Sequence, residues 1–338
     1  MLSLSYFAGR FLENRLPAGV CNIFIWVGAY WLGLMIYFLL GVLLADILRL
    51  FNYIIGFFPS FITRNYVRTK EITAIIILLV SIILVIAGRI NALNPRIKTL
   101  TLKIPKKIES QKHLNVVMAS DIHLGTLIGN GRLSYLVNKI NSFNPDLVLL
   151  AGDIVDEDIG QVIKLNLGET LKMIKSKWGV YGITGNHEYI GGVEPAVNYL
   201  EKHGVIMLRD TAVKLNDSFF IVGREDRSIN QFGVKKRKRL SEIMEGVDKS
   251  YPIIMMDHQP FGLNEAVENG VDLQLSGHTH HGQLWPFNYI TEMVYEVSWG
   301  YKKKGNTHFY VSSGYGGWGP PIRLGNTPEI VNIKLDFE

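Results

Sequence analysis

Five short clusters in the second half of the sequence hold residue types suited to binding metal. They are Asp121-Ile122-His123, Gly152-Asp153-Ile154-Val155-Asp156, Gly185-Asn186-His187-Glu188, Asp257-His258 and Gly277-His278-Thr279-His280. Each follows a short apolar run, the mark of a strand buried in a sheet, and function in open α/β sheets collects at strand C-termini. One such pair says little, because a lone Asp more often caps a helix or shapes a turn and a lone His more often sits satisfied in a core. Five in sequence converge better on a single cleft. In an extended segment residues i and i+2 share a face, so Asp121 with His123, and His278 with His280, are each expected to present two donors to that cleft. Gly152, Gly185 and Gly277 permit sharp exits from strands and close backbone approach to a bound anion. The donors are carboxylate, amide and imidazole without sulfur, which suits Mn²⁺, Fe or Zn²⁺ at a site with exchangeable water. Ionised Asp residues gathered in an apolar cleft would be costly, and divalent cations offset that cost.

The elements that must carry these residues are legible as alternating strands and helices, an α/β sandwich. Strands are expected at Asn115 to Ala119, Leu147 to Ala151, Val180 to Thr184, Phe219 to Gly223, Ile253 to Met256, Leu273 to Ser276 and Phe309 to Ser312. Helices fit Arg132 to Ser142, Gln161 to Lys175, and Glu194 to His203 with Pro195 in its first turn. Asn94 to Lys107 reads as a connector followed by an edge strand. No internal repeat or low-complexity tract is visible.

Three weaker signals lie outside the clusters. Arg224 and Arg227 follow a strand and either clamp a phosphate or form a surface salt-bridge cluster. The run Lys235-Lys236-Arg237-Lys238-Arg239 opens an apparent helix, KKRKRLSEIMEGV, and is more often a solvated face than a nucleic-acid site. Tyr315 to Arg323 is an ordered Gly/Pro-rich loop, a structural turn or a wall of the substrate cleft. His113, His203 and His308 are taken as ordinary.

The first ninety residues are of another kind. The chain has 338 residues, 48% of them hydrophobic, and a mean hydropathy of +0.16, with the excess apolarity almost all before residue 90. Val20 to Ala45 and Ile72 to Gly88 carry no charged residue; the first can cross a hydrocarbon core of about 30 Å with some tilt, and the second, which is shorter, spans if nearly upright. Ile47 to Ile62, with Arg49, Asn52 and Pro59, suits an interfacial or re-entrant segment. Asp46 and Arg49 are read as interfacial. The first apolar run starts too late and is too long for a signal peptide, so the anchor is expected to stay; Met1 to Gly9 could be the tail of an upstream span. Arg10, Arg15, Arg89, Arg96, Lys98, Lys103, Lys106 and Lys107 on one side outnumber Arg49, Arg64, Arg68 and Lys70 on the other, which puts both ends and the second half of the chain on the cytoplasmic face of the cell membrane. The net charge of +5 fits a domain held against anionic headgroups. The single Cys21 allows no intrachain disulfide. The expected division is an anchor over 1–90, a connector over 91–113 and a catalytic domain over 114–338.

From about Leu114 onward the clusters resemble the calcineurin-like metallophosphoesterases, whose D-x-H, G-D-x-x-D, G-N-H-[DE], H and G-H-x-H pattern is present complete and in order. Gly277 to Gln283, together with the membrane region, looks most like a membrane-associated bacterial branch related to UDP-diacylglucosamine hydrolases, though His281 stands where that branch often has Gly. The resemblance implies a four-layer αββα sandwich preceded by an N-terminal transmembrane helical region. It implies two divalent metal ions, one held by Asp121, His123, Asp153 and His280, the other by Asp153, Asn186, His258 and His278. It gives His187 the role of general acid or charge stabiliser, oriented by Asp156. Purple acid phosphatases, a related group, have Tyr where Asp156 stands and Gly where His123 stands, which speaks against a tyrosinate-iron site. The implied activity is hydrolysis of a phosphoester or phosphoanhydride by a metal-bridging hydroxide, on a phosphorylated small-molecule or lipid-linked substrate, with no nucleic acid as partner. A non-catalytic metal-binding membrane scaffold or sensor, and a nuclease, are the alternatives.

Overall fold

A computed structural model of the chain describes residues 2–13, 17–106, 108, 112–232 and 235–338. Arg15 and Lys107, both used in the charge comparison, lie outside the described residues. The chain separates into two compact units, Met1–Leu93 with Gly319–Leu324, and Asn94–Trp318 with Gly325–Glu338.

The first unit is helical: α1 (Leu2–Leu12), α2 (Ala18–Ile55), α3 (Ser60–Arg64) and α4 (Tyr66–Leu93). Among the described residues α2 and α4 are the two helices long and apolar enough to cross a membrane. Their surfaces are rich in exposed apolar side chains such as Phe24, Leu39, Ile75, Leu79 and Ile83, a pattern that suits lipid and not water. The expected interfacial segment Ile47 to Ile62 is corrected: its first nine residues continue α2, which ends only at Gly56. There a left-handed φ of 68° lets the Gly56 N–H donate to the Asn52 carbonyl at 2.7 Å. Met1 to Gly9 falls largely within α1, which packs on α2; a Cβ on Gly28 would strike the Tyr6 backbone.

The second unit is built on two six-stranded sheets. Its strands are β1 (Arg96–Ile104), β2 (His113–Ala119), β3 (Leu147–Ala151), β4 (Val180–Ile183), β5 (Val205–Met207), β6 (Thr211–Leu215), β7 (Phe219–Gly223), β8 (Ile253–Met256), β9 (Leu273–Ser276), β10 (Gly300–Lys304), β11 (Thr307–Val311) and β12 (Glu329–Phe337). The sheet orders are β1-β12-β2-β3-β4-β5 and β10-β11-β9-β8-β7-β6. Its helices are α5 (Asn130–Ser142), α6 (Ile159–Lys164), α7 (Leu167–Leu171), α8 (Asn186–Gly191), α9 (Val193–Lys202), α10 (Ile229–Phe232), α11 (Leu240–Ile243), α12 (Leu263–Glu268) and α13 (Asn288–Val294).

Side chains alternate across a strand, and here both faces are apolar. Val116 and Met118 of β2 meet Ile254 and Met256 of β8 in a core between the sheets. Val117 and Ala119 turn the other way, onto Leu133, Leu136 and Ile140 of α5 and the residues of α7. Ile253 and Met255 turn outward onto Leu240 of α11 and Leu263 and Ala266 of α12. Helix, sheet, sheet and helix give the αββα order. The expected helix Gln161 to Lys175 is split in two, because Asn166 adopts φ 52° and breaks the ladder between α6 and α7. The basic run is corrected as well. α11 begins only at Leu240, and although Lys235, Lys236, Lys238 and Arg239 are exposed as a solvated face requires, the Arg237 guanidinium turns inward to Asp257 at 2.5 Å.

Candidate metal centre

β2, β3 and β4 are consecutive parallel neighbours in one sheet, and β8 and β9 are parallel neighbours in the other. Their C-terminal ends therefore deliver all five clusters to one region. Backbone bonds lock the exits together. Asp121 N–H donates to Gly152 O at 3.0 Å, His123 N–H to Asp153 O at 3.0 Å, and Gly277 N–H to His258 O at 3.0 Å. The carboxylates take part: Asp121 Oδ1 accepts from His278 N–H at 2.8 Å and Asp153 Oδ1 from His187 N–H at 2.9 Å.

Two groups of donors result, Asp121, His123 and His280 in one, and Asp153, His258 and His278 in the other. Asn186 joins the second through its Oδ1, 2.8 Å from His278 Nδ1. Asp153 also lies beside the first group, with Oδ2 3.9 Å from His123 Nε2. The extended-strand reasoning for the paired residues fails here. Asp121, His123, Asp153, His278 and His280 have φ of 51°, 53°, 50°, 70° and 46°, so each exit curls through left-handed backbone. Asp121 and His123 still share a group, whereas His278 and His280 are sent to different ones. Strain of this kind persists where surrounding bonds over-determine it, and it gathers at functional sites. Glycine is needed for space: a Cβ on Gly185 would run into the Asp153 carboxylate, and one on Gly277 into that of Asp121.

The donor chemistry fits cations. His258 Nδ1 lies 2.8 Å from the Ala151 carbonyl, which can only accept, so Nδ1 carries a proton and Nε2 is the nitrogen left to face a cation. That Nε2 is buried, makes no hydrogen bond, and stands 3.1 Å from Asp153 Oδ2. Asp121 Oδ2 is likewise buried without a hydrogen-bond partner among the described residues. His123 Nε2 and His280 Nε2 are 3.2 Å apart, and His280 Nε2 is 3.4 Å from Asp121 Oδ1. Ligand atoms about 2.1 Å from one ion stand roughly 3.0–3.4 Å from each other, so these spacings match donors arranged around a shared ion. Burial alone would raise the Asp153 pKa, but His258, His187 and His123 outweigh it and hold the carboxyl well below its ordinary range.

Beside the donors, His187 Nδ1 is 3.2 Å from Asp156 Oδ1, which is also 3.6 Å from His123 Nδ1. Burial lowers the His187 pKa, yet Asp153 and Asp156 lift it to about 9, so the imidazole carries a proton across neutral pH when those carboxylates are its only company. Glu188 went unnoticed as a structural part of the site. Its buried carboxylate accepts the N–H groups of Asp153 at 3.1 Å, Val155 at 2.8 Å and Gly185 at 2.7 Å, tying the β3 and β4 exits together. An acidic residue directly after Asn186-His187 was the available signal.

Arg224 and Arg227 do not reach the cluster's cleft. Arg224 is buried and engaged by Asp257 at 3.2 Å and Glu265 at 2.8 Å; Arg227 lies over the Phe261 ring and donates to the Phe261 carbonyl at 3.2 Å. The cleft, about 550 Å³, is lined by His187, His278 and His280 together with Trp318 and with Ile190, Phe287, Ile290 and Tyr295, the last four of which the sequence does not distinguish from ordinary apolar residues. A larger cavity, about 700 Å³, lies among Glu194, Arg209, Lys235 and Lys238 and holds none of the metal-competent residues. Tyr315 to Arg323 divides: Trp318 lines the cleft, whereas Arg89 and Asn91 hold the carbonyls of Pro321 and Arg323 within the helical unit.

The family model for calcineurin-like phosphoesterases matches residues 114–282. An uncharacterized metallophosphoesterase of Helicobacter pylori (strain J99) is 33% identical over 72% of this chain; the alignment spans 64% of that relative, slightly under two thirds of its length. An uncharacterized metallophosphoesterase of Aquifex aeolicus is 32% identical over 70% of this chain and 88% of its own. A transmembrane protein with metallophosphoesterase domain from Danio rerio is 29% identical over 90% of this chain and 74% of its own, so that alignment extends into the helical unit. Among solved structures, a 5'-nucleotidase precursor from Thermus thermophilus superposes with a TM-score of 0.43 at 14% identity, over 66% of this chain and 54% of the other. On the match over residues 114–282 and the likeness to the Aquifex protein, the chain belongs to the calcineurin-like phosphoesterase family.

Proposed function

We propose that the protein is a membrane-anchored, metal-dependent hydrolase of phosphoesters or phosphoanhydrides. Asp121, His123, Asp153 and His280 would hold one divalent cation and Asp153, Asn186, His258 and His278 a second, with Asp153 common to both. Mn, Fe and Zn all suit this donor set. When bound, such cations acidify water and neutralise charge on a phosphoryl group. The chain's own residues supply the rest. His187 stands at the cleft with a proton available for the leaving oxygen, and Asp156 fixes its ring through Nδ1. Glu188 and the linked strand exits hold the donors in register, so little reorganisation is left for the moment of reaction. The bare, buried Nε2 of His258 facing the Asp153 carboxylate is the observation that carries this reading.

The two apolar helices and the Lys/Arg asymmetry favour a retained anchor with the catalytic unit on the cytoplasmic face of the cell membrane. That tether favours a lipid-linked substrate. The test is hydrolysis of bis-p-nitrophenyl phosphate by the detergent-solubilised full chain with Mn²⁺, beside an Asp153→Asn variant. Turnover that needs metal and drops at least a hundredfold in the variant supports the proposal. Turnover that survives chelation or survives Asp153→Asn sinks it.

A further inference from the structure

One wall of the metal-competent cleft is apolar, and it runs outward onto the surface. Phe287, Ile290, Tyr295 and Trp318 line the cleft together with His187, His278 and His280. α13 supplies the core of this wall, although none of its residues is buried. Ile290 is 51% exposed, Met293 79%, Val294 54% and Trp318 52%, with Trp285 and Tyr289 exposed next to them. Single apolar residues are ordinary on a protein surface, but several on the lining of a reactive cleft and on the helix beside it mark a binding surface. A small hydrophilic phosphoester would leave this wall in water. The occupant is indicated by the rest of the chain, since β1 starts at Arg96, three residues after α4 ends at Leu93, and α2 and α4 are both long and apolar enough to enter a bilayer. The chain that carries the cleft thus also carries two helices suited to hydrocarbon.

We infer that this wall seats the hydrocarbon part of the substrate. The site selects a phosphoester that bears an alkyl or acyl chain, with the phosphoryl group at the metal-competent cluster and the chain laid along Phe287, Ile290 and Trp318. This selectivity presupposes the phosphoester hydrolysis proposed above and assigns Ile290 and Trp318 as its specificity-determining residues. Each methylene moved from water onto the wall adds apolar burial, and that gain reaches kcat/KM because the chain stays bound while the phosphoryl group reacts.

The experiment compares p-nitrophenyl methyl phosphate with p-nitrophenyl octyl phosphate, which present the same reacting bond and release the same p-nitrophenolate as water adds to phosphorus. The full chain is assayed in detergent micelles with Mn²⁺, as the unaltered protein and as Ile290→Ser and Trp318→Ser. The octyl ester is expected to be preferred at least tenfold in kcat/KM, mainly through KM, and the preference is expected to fall at least fivefold in each variant. Equal kcat/KM for the two esters in the unaltered protein overturns the inference while leaving hydrolysis established. A preference that survives both substitutions also overturns it, because partition into the micelle then accounts for the effect. Failure to cleave either ester by a protein that still hydrolyses bis-p-nitrophenyl phosphate with Mn²⁺ overturns this inference alone; failure on all three removes the diesterase reading and this inference with it.

Discussion

His187 and the candidate ligands differ in what their loss should do. His187 touches Asp156 and the edge of the cleft, while His258 and Asp153 face each other in full burial. His187→Asn is expected to lower kcat by about 10²–10³ with metal content unchanged, the size of effect that general acid catalysis contributes. Parallel metal analysis and steady-state kinetics check this; metal lost together with activity would make His187 a ligand instead. At this scale much was legible, because the chemistry-bearing residues sit in short clusters whose types are rare in apolar surroundings. The route by which they converge was not legible. Left-handed backbone at Asp121, His123 and Asp153 depends on bonds to neighbouring loops, and period-two reasoning has no knowledge of them.

Between residue and fold stand the loops that carry the ligands, and two buried ionic groups brace them. Arg224 and Arg237 both pair with Asp257, the residue before His258. Arg224→Ala would leave Asp257 half-compensated in a buried setting and is expected to destabilise the protein by about 3 kcal/mol, read as a lowered thermal transition. Glu188→Gln keeps the shape but weakens the acceptor for three N–H groups; its expected signature is poorer metal retention on dialysis, by roughly tenfold, with little change in fold. Of the strands that feed the clusters, β3, β8 and β9 were readable to the residue, as was β7, because they are short apolar runs with polar ends. β5, β6, β10 and β12 were missed, the first because it is only three residues long. Gly300–Lys304 is half lysine-rich surface, and Glu329–Phe337 mixes Asn332, Lys334 and Asp336 into its apolar run, so neither stands out without its neighbours. The helix break at Asn166 was hidden for a related reason, since an Asn within an amphipathic stretch signals nothing by itself.

For the whole molecule, ligand binding and folding are linked. Cations that bind the folded cluster at about a hundred times Kd would stabilise it by roughly 2.7 kcal/mol, which corresponds to about 5–10 °C in Tm. Thermal scans with Mn²⁺ and with chelator should differ by that amount, and the difference should vanish in Asp153→Asn. The proposed orientation can be read by labelling, because native Cys21 is buried in α2 and Lys303 is exposed. Lys303→Cys should react with a membrane-impermeant maleimide only after cells are opened; reaction on intact cells would put the catalytic unit outside.

β12 lies between β1 and β2, parallel to the first and antiparallel to the second. Among the described residues, the strand that emerges from α4 therefore has its one sheet partner in β12, more than two hundred residues later in the sequence. During synthesis β1 must wait, exposed at its hydrogen-bonding edge, until the ribosome has made everything up to Phe337. A message cut short before Glu329 would still encode every candidate ligand, yet its product would carry an open sheet with two unpaired edges, a substrate for quality-control proteases before it could become an enzyme.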